Sequence, residues 1–128
     1  MKKTRKKLSD GELEVMLAVW EAGKPVTGGD ILGRIKEQRG WALSTLMTVL
    51  ARLVEKGYLF CDRSTRSNLY SPLVEEEEYK EQESSAFLRR LYGNSLPGFI
   101  SCLYKGGAIS DNDLKELRSF LDSAGKEE

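Results

Sequence analysis

Histidine is absent from this chain of 128 residues, which removes the commonest general base and the commonest zinc ligand. Metalloprotease, serine-protease and zinc-deaminase signatures each need a histidine, so none of them is available. Only two cysteines occur, Cys61 and Cys102, and no C-x-x-C, so neither a metal site nor a disulfide framework is expected. No apolar run approaches the ~20 residues that cross a bilayer. The basic N-terminus MKKTRKKLSDGE has no apolar stretch behind it and does not read as a secretory signal. A cytoplasmic protein without membrane insertion is the expectation. A phosphate-cradling loop is missing too, because Gly28-Gly29 after Thr27 is too little for a P-loop. Neither an enzyme nor a bound cofactor is expected.

The net charge is zero, and it is unevenly spread. Residues 1–72 hold 13 Lys/Arg against 8 Asp/Glu, and residues 73–128 hold 7 against 12. A basic half joined to an acidic half points to a nucleic-acid partner for the first. The five basic residues of Met1–Lys7 carry the whole excess, so a merely solvated tail accounts for the asymmetry equally well.

Capping signals and apolar periodicity divide the first half into three helices. Ser9 and Glu12 form an S-x-x-E capping box, and Leu13, Met16, Leu17 and Trp20 recur at helical spacing as a buried stripe. Gly23-Lys24-Pro25 ends that helix. Thr27 and Asp30 open a short second helix with Ile31, Leu32 and Ile35 inward, ending near Gly40. Trp41 follows as an apolar plug in the turn. The third helix runs from Leu43 or Ser44 to Lys56, with Leu46, Val49, Leu50 and Leu53 forming its core face and Gly57 its left-handed cap. Its other face carries Ser44, Thr45, Met47, Thr48, Ala51, Arg52 and Glu55. Small outward residues let a helix enter a major groove ~12 Å wide, hydroxyls can meet base edges, and Thr or Ala methyls can meet a thymine methyl.

Tyr58–Arg63 and Arg66–Ser71 alternate as two antiparallel strands about a Ser64-Thr65 turn. Leu59, Leu69 and Cys61 are expected inward, and Arg63 and Arg66 near the tip, where arginine binds phosphate or enters a minor groove. The plainer reading is a solvated hairpin in which Arg63 pairs with Asp62. Helix plus basic hairpin is the plan of a winged helix-turn-helix, so residues 1–72 are assigned as a DNA-binding domain with Ser44, Thr45, Met47, Thr48, Arg52, Arg63 and Arg66 as its contacts.

Residues 73–128 read as three helices. The first starts in four glutamates, favourable at a positive helix N-terminus, and carries Tyr79, Phe87, Leu88 and Leu91. Pro97 opens a second over Leu96–Leu103. Ser110 and Asp113 cap a third bearing Leu114, Leu117, Phe120 and Leu121. Some 56 residues of this kind cannot easily bury their own apolar faces, so a C-terminal helical dimerisation domain and a two-fold homodimer are expected. The fold class is mostly α with a small β-hairpin wing.

LSDGELEVMLAVWEAG, VTGGDILGRIKEQRGWALSTLMTVLARLVEKGYL and RSNLYSPLVEEEEYKEQESSAFLRRLYGNSL resemble the penicillinase and methicillin-resistance repressors, the BlaI/MecI/CopY group of winged-helix regulators. Thr45, Thr48, Leu50, Arg52, Leu53, Lys56 and Gly57 carry the core of the likeness. It implies a homodimeric repressor of palindromic operators on double-stranded DNA, among them antibiotic-resistance or efflux genes. It also implies a membrane sensor-protease that relieves repression by cutting the dimerisation domain, which separates two tethered contacts. Thr45 and Thr48 match the family's recognition-helix threonines. Ser44 and Met47 stand where the β-lactam repressors carry a lysine and an arginine. The bond matching the cleaved one is Cys102–Leu103, where those repressors have asparagine followed by phenylalanine, a departure that weighs against proteolytic induction. The C-terminal cysteine pairs of the copper-responsive branch are absent. Two other classes stay open: a winged-helix module that docks a partner protein, and a thiol-based redox or metal sensor using Cys61 or Cys102.

Overall fold

The computed structural model describes residues 6–126, so Met1–Arg5 of the basic tail lie outside the described residues. The elements are α1 (Asp10–Ala22), α2 (Gly28–Arg39), α3 (Leu43–Glu55), β1 (Leu59–Asp62), β2 (Leu69–Pro72), α4 (Glu76–Tyr92), α5 (Leu96–Lys105) and α6 (Asp111–Lys126). Two compact units result, the first ending at Glu83 and the second beginning at Ser84, so the boundary falls inside α4. Among the described residues no helix is long and apolar enough to cross a membrane.

In the first unit, α1 starts from a complete capping box. Ser9 Oγ accepts from the Glu12 N–H, and Glu12 Oε1 accepts from the Ser9 N–H at 2.9 Å. The same carboxylate accepts from Lys56 Nζ at 2.6 Å, joining the start of α1 to the end of α3. Burial pushes the Glu12 carboxyl up, but Lys56 and the Ser9 N–H more than offset this and hold it below its ordinary value. α2 is capped in the same reciprocal way by Thr27 and Asp30. Val15, Met16, Val19, Ile31, Leu46, Leu50 and Leu53 form the centre of the core, with Tyr58, Leu59 and Tyr70 beneath the hairpin.

The α1 stripe differs from the expected one. Met16 is buried, but Leu17 is 42% exposed and Leu13 and Trp20 are half-buried, while Val15 and Val19 take the inner positions. The run VMLAVW is apolar around most of the helix, so periodicity could not select a face. Two anchors at opposite ends set the rotation, Glu12–Lys56 at one and Trp20 Nε1 donating to the Val74 carbonyl at 2.9 Å at the other.

The hairpin also departs in detail. Its loop is six residues, 63–68, and the register is Leu59↔Pro72, Phe60↔Ser71, Cys61↔Tyr70 and Asp62↔Leu69. Opposed residues of antiparallel strands share a face. Tyr70 therefore joins Leu59 and Cys61 on the inner side, and Leu69 does not. Tyr70 is buried and exchanges two backbone hydrogen bonds with Val26, tying the wing to the α1–α2 connection. Burial pushes its phenol up, and the neighbouring Cys61 adds to this.

The first unit runs on past Pro72. Val74 and Tyr79 are buried, and the Tyr79 ring lies 5.9 Å from Trp20 and 6.0 Å, edge to face, from Tyr58. The start of α4 thereby completes this core.

In the second unit, Ser95 caps α5 with Pro97 in its first turn, and Ser110 and Asp113 cap α6 reciprocally. Phe87, Tyr92 and Phe99 form a ring cluster, and Tyr104 Oη donates to Asp111 Oδ1 at 2.7 Å. Phe87 and Leu88 are half-buried, whereas Leu91 of the expected stripe is exposed. No residue of α5 or α6 is buried.

Candidate nucleic-acid interface

The candidate surface is the side of α3 that the core does not use. Leu46, Leu50 and Leu53 are fully buried and Val49 nearly so, which fixes the helix rotation. Ser44, Thr45, Met47, Thr48, Ala51, Arg52 and Glu55 are all exposed, as their spacing predicted. The axis is held at both ends. At the start, the Trp41 ring lies so close to Gly11 that a β-carbon there would sit 3.0 Å from it, and the Arg39 guanidinium stands 5.7 Å over that ring while pairing with Glu14. At the far end Gly57 takes φ 84° and the Tyr58 N–H donates to the Leu53 carbonyl, turning the chain into β1.

α3 differs from its neighbours at its N-terminus. Ser9, Thr27, Ser95 and Ser110 cap α1, α2, α5 and α6 with hydroxyls, whereas Ala42 supplies no side-chain cap for α3. The leading N–H groups of α3 keep the partial positive charge that attracts anions.

The wing loop carries Arg63 and Arg66, both exposed. Asp62 does not serve Arg63. Its Oδ1 accepts from both the N–H (2.9 Å) and the Oγ (2.6 Å) of Ser64, which hold the carboxyl below its ordinary value, and Thr65 Oγ1 donates to the Ser67 carbonyl. The loop is ordered by its own hydroxyls. Among the described residues no ion pair engages Arg52, Arg63 or Arg66.

Ser44, Thr45, Met47, Thr48, Arg52, Arg63 and Arg66 thus all stand exposed on the first unit, five on α3 and two on the wing. Leu43, absent from the predicted set, is 51% exposed at the start of the same face. Its i, i+4 relation to Met47 was the available signal. Cys102 and Leu103 belong elsewhere. They lie inside α5, with Cys102 exposed and Leu103 half-buried, and the Gly106 N–H donates to the Cys102 carbonyl. Cys61 is half-buried in β1, and both thiols are free. Among the described residues no cluster of three or more His, Cys, Asp or Glu could hold a metal ion.

Comparison with known proteins bears on this surface directly. The model of the penicillinase repressor family matches residues 8–123. The penicillinase repressor of Bacillus licheniformis is 30% identical over 115 residues, covering 90% of this chain and 89% of that protein. The methicillin resistance regulatory protein MecI of Staphylococcus aureus (strain N315) is 27% identical over 115 residues, covering 90% and 93%. The solved DNA-binding domain of the repressor BlaI superposes with a TM-score of 0.52 at 29% identity, over 61% of this chain and 94% of that one. The Bacillus licheniformis BlaI monomer in complex with the blaP half-operator gives the same TM-score, identity and coverage.

Proposed function

Because the chain belongs to the penicillinase repressor family, we propose that it is a cytoplasmic, DNA-binding transcriptional repressor that acts as a homodimer on a palindromic operator. The observation that carries this reading is the division of α3. One face is fully buried in Leu46, Leu50 and Leu53, and the other offers small, hydroxylated and cationic residues to solvent, with a wing bearing two exposed arginines that no ion pair engages among the described residues. α3 enters the major groove with Ser44, Thr45, Met47 and Thr48 toward base edges, and Arg52, Arg63 and Arg66 hold phosphates. The uncapped start of α3 adds a backbone anion site of the kind that fixes register on a duplex. BlaI, whose DNA-binding domain this unit resembles, is solved on a half-operator, which supports the same docking here.

Residues 73–128 supply the dimer in this reading. α5 and α6 have apolar faces and no buried residue, so a second copy of the same helices is the natural cover. Resistance or efflux genes are the regulated class that the relatives suggest. A membrane sensor-protease acting at Cys102–Leu103 would first have to unwind α5.

Salt and substitution test the proposal together. Duplex affinity should fall with a slope of about −0.9 per phosphate neutralised. Arg63→Ala with Arg66→Ala should weaken specific and random duplexes alike, and Thr45→Ala should mainly blur sequence preference. Binding indifferent to ionic strength would favour a protein-docking module instead, and an unchanged affinity in the double arginine variant would remove the wing from the interface.

A further inference from the structure

The exposed side of α3 includes two adjoining i, i+4 rows, Leu43–Met47–Ala51 and Ser44–Thr48–Arg52, with Thr45 exposed beside them and Glu55 one turn beyond Ala51. The first row is wholly apolar, with Leu43 51% and Met47 41% exposed. In the second, Thr48 Oγ1 donates to the Ser44 carbonyl at 3.2 Å. Threonine in a helix often makes this back-bond, which commits its hydroxyl hydrogen and leaves the γ-methyl uncommitted. The Met47 Sδ lies 3.5 Å from where a β-carbon on Gly28 would stand, close to the first turn of α2. Leu43, Met47 and Ala51 therefore form an apolar strip within this face. The same unit exposes Arg52 on α3 and Arg63 and Arg66 on the wing, none of them in an ion pair among the described residues. An apolar strip on a unit that also carries exposed arginines outside any described ion pair suits a polyanion with apolar groups on the floor of its groove. Duplex DNA has such a group in the thymine C5-methyl, which projects into the major groove.

We propose that α3 selects its site through thymine methyls, with Leu43, Met47 and the Thr48 γ-methyl as the contacting groups and hydrogen bonding to base edges secondary. This rests on the DNA-reading role proposed for α3 above. Leu43 and Met47 become specificity-determining residues, and the preferred duplex is one with thymines clustered where the helix lies.

The full-length chain would be used to enrich duplexes from a randomised pool, and the tightest would be resynthesised with deoxyuridine for thymidine, a change that removes only the methyl. About 0.8 kcal/mol per buried carbon predicts a loss of roughly fourfold for each methyl contacted. Met47→Ala should bind the thymine duplex more weakly and lose its sensitivity to uracil at the thymines Met47 touches. Arg63→Ala with Arg66→Ala should weaken the thymine and uracil duplexes by the same factor. Equal affinity for the two duplexes would overturn the methyl reading and leave the repressor assignment standing, as would full uracil sensitivity retained in both Leu43→Ala and Met47→Ala. A selection that enriches no duplex would remove the DNA-reading role of α3 and this inference with it.

Discussion

The two units share one local grammar and reach different ends. Both have hydroxyl-capped helices, glycine stops and apolar stripes at helical spacing. Yet every buried hydrophobic residue among those described lies at or before Tyr79, and α5 and α6 bury nothing despite faces carrying Phe99, Leu103, Leu114 and Leu117. The first unit closes on itself because three helices and a hairpin surround one centre, and α4 seals it through Tyr79. The second has too few layers to cover its own stripes, and Phe120 remains 65% and Leu121 52% exposed. Amphipathic periodicity therefore says that a face wants burial, not that the chain itself can supply it.

Cutting the chain after Glu83 should separate the two behaviours most sharply. The fragment should stay folded and monomeric, and should lose on the order of 100-fold or more in operator affinity, because tethering of two half-site contacts is gone. Sedimentation and duplex titration measure both effects, and a dimeric fragment would refute the assignment of self-association to the second unit. Leu50→Ala, in the closed core, should cost about 3 kcal/mol of unfolding free energy. Phe120→Lys should instead raise the concentration at which the chain self-associates and leave the first unit's denaturation midpoint in place. If Phe120→Lys destabilised that unit as Leu50→Ala does, the contrast between the two would fail.

Lys56→Met sharpens the picture within the first unit by stranding the buried Glu12 carboxylate, at about 2 kcal/mol. It also has a pH signature. Glu12 is more acidic folded than unfolded, so the unfolded state binds more protons in the window between the two values. Its contribution is complete above the ordinary carboxylate pKa and disappears as pH falls through the depressed one. Lys56→Met should flatten that acid limb, read by denaturant titration across acidic pH. The smallest effect expected is that of Ser9→Ala, about 1 kcal/mol. It should propagate to global unfolding because the capping box is wired to Lys56, whereas Ser110→Ala should register only as fraying of α6 in hydrogen exchange.

Legibility in the sequence followed how singular each pattern was. α3 buries one face of Leu46, Val49, Leu50 and Leu53 and exposes the other, and its rotation, its Gly57 turn and its exposed residues are all as read. α1 is apolar nearly all round, so its inner face depended on Glu12–Lys56 and Trp20–Val74, contacts between residues 44 and 54 positions apart. Tyr70 faces inward because pairing places it opposite Cys61. The six-residue loop arises from hydroxyls of Ser64 and Thr65 that bind locally in place of a tight turn. At the candidate interface the residue types were legible and their chemistry was less so. Whether Thr48 spends its hydroxyl outward or on the Ser44 carbonyl is a rotamer choice that composition does not encode.

Local sequence was enough to place the caps of α1, α2 and α6, the turn at Gly57 and the exposed side of α3, because each depends on neighbours within about one turn of chain. It was also enough to show the kinship to the repressors, which spans residues 8–123. Packing between distant segments decided which α1 residues enter the core, how far the first unit extends into α4, and that α5 and α6 keep their apolar faces uncovered. Those outcomes depend on which surfaces meet in space, and hydrophobic burial is non-directional, so periodicity alone cannot assign its partner.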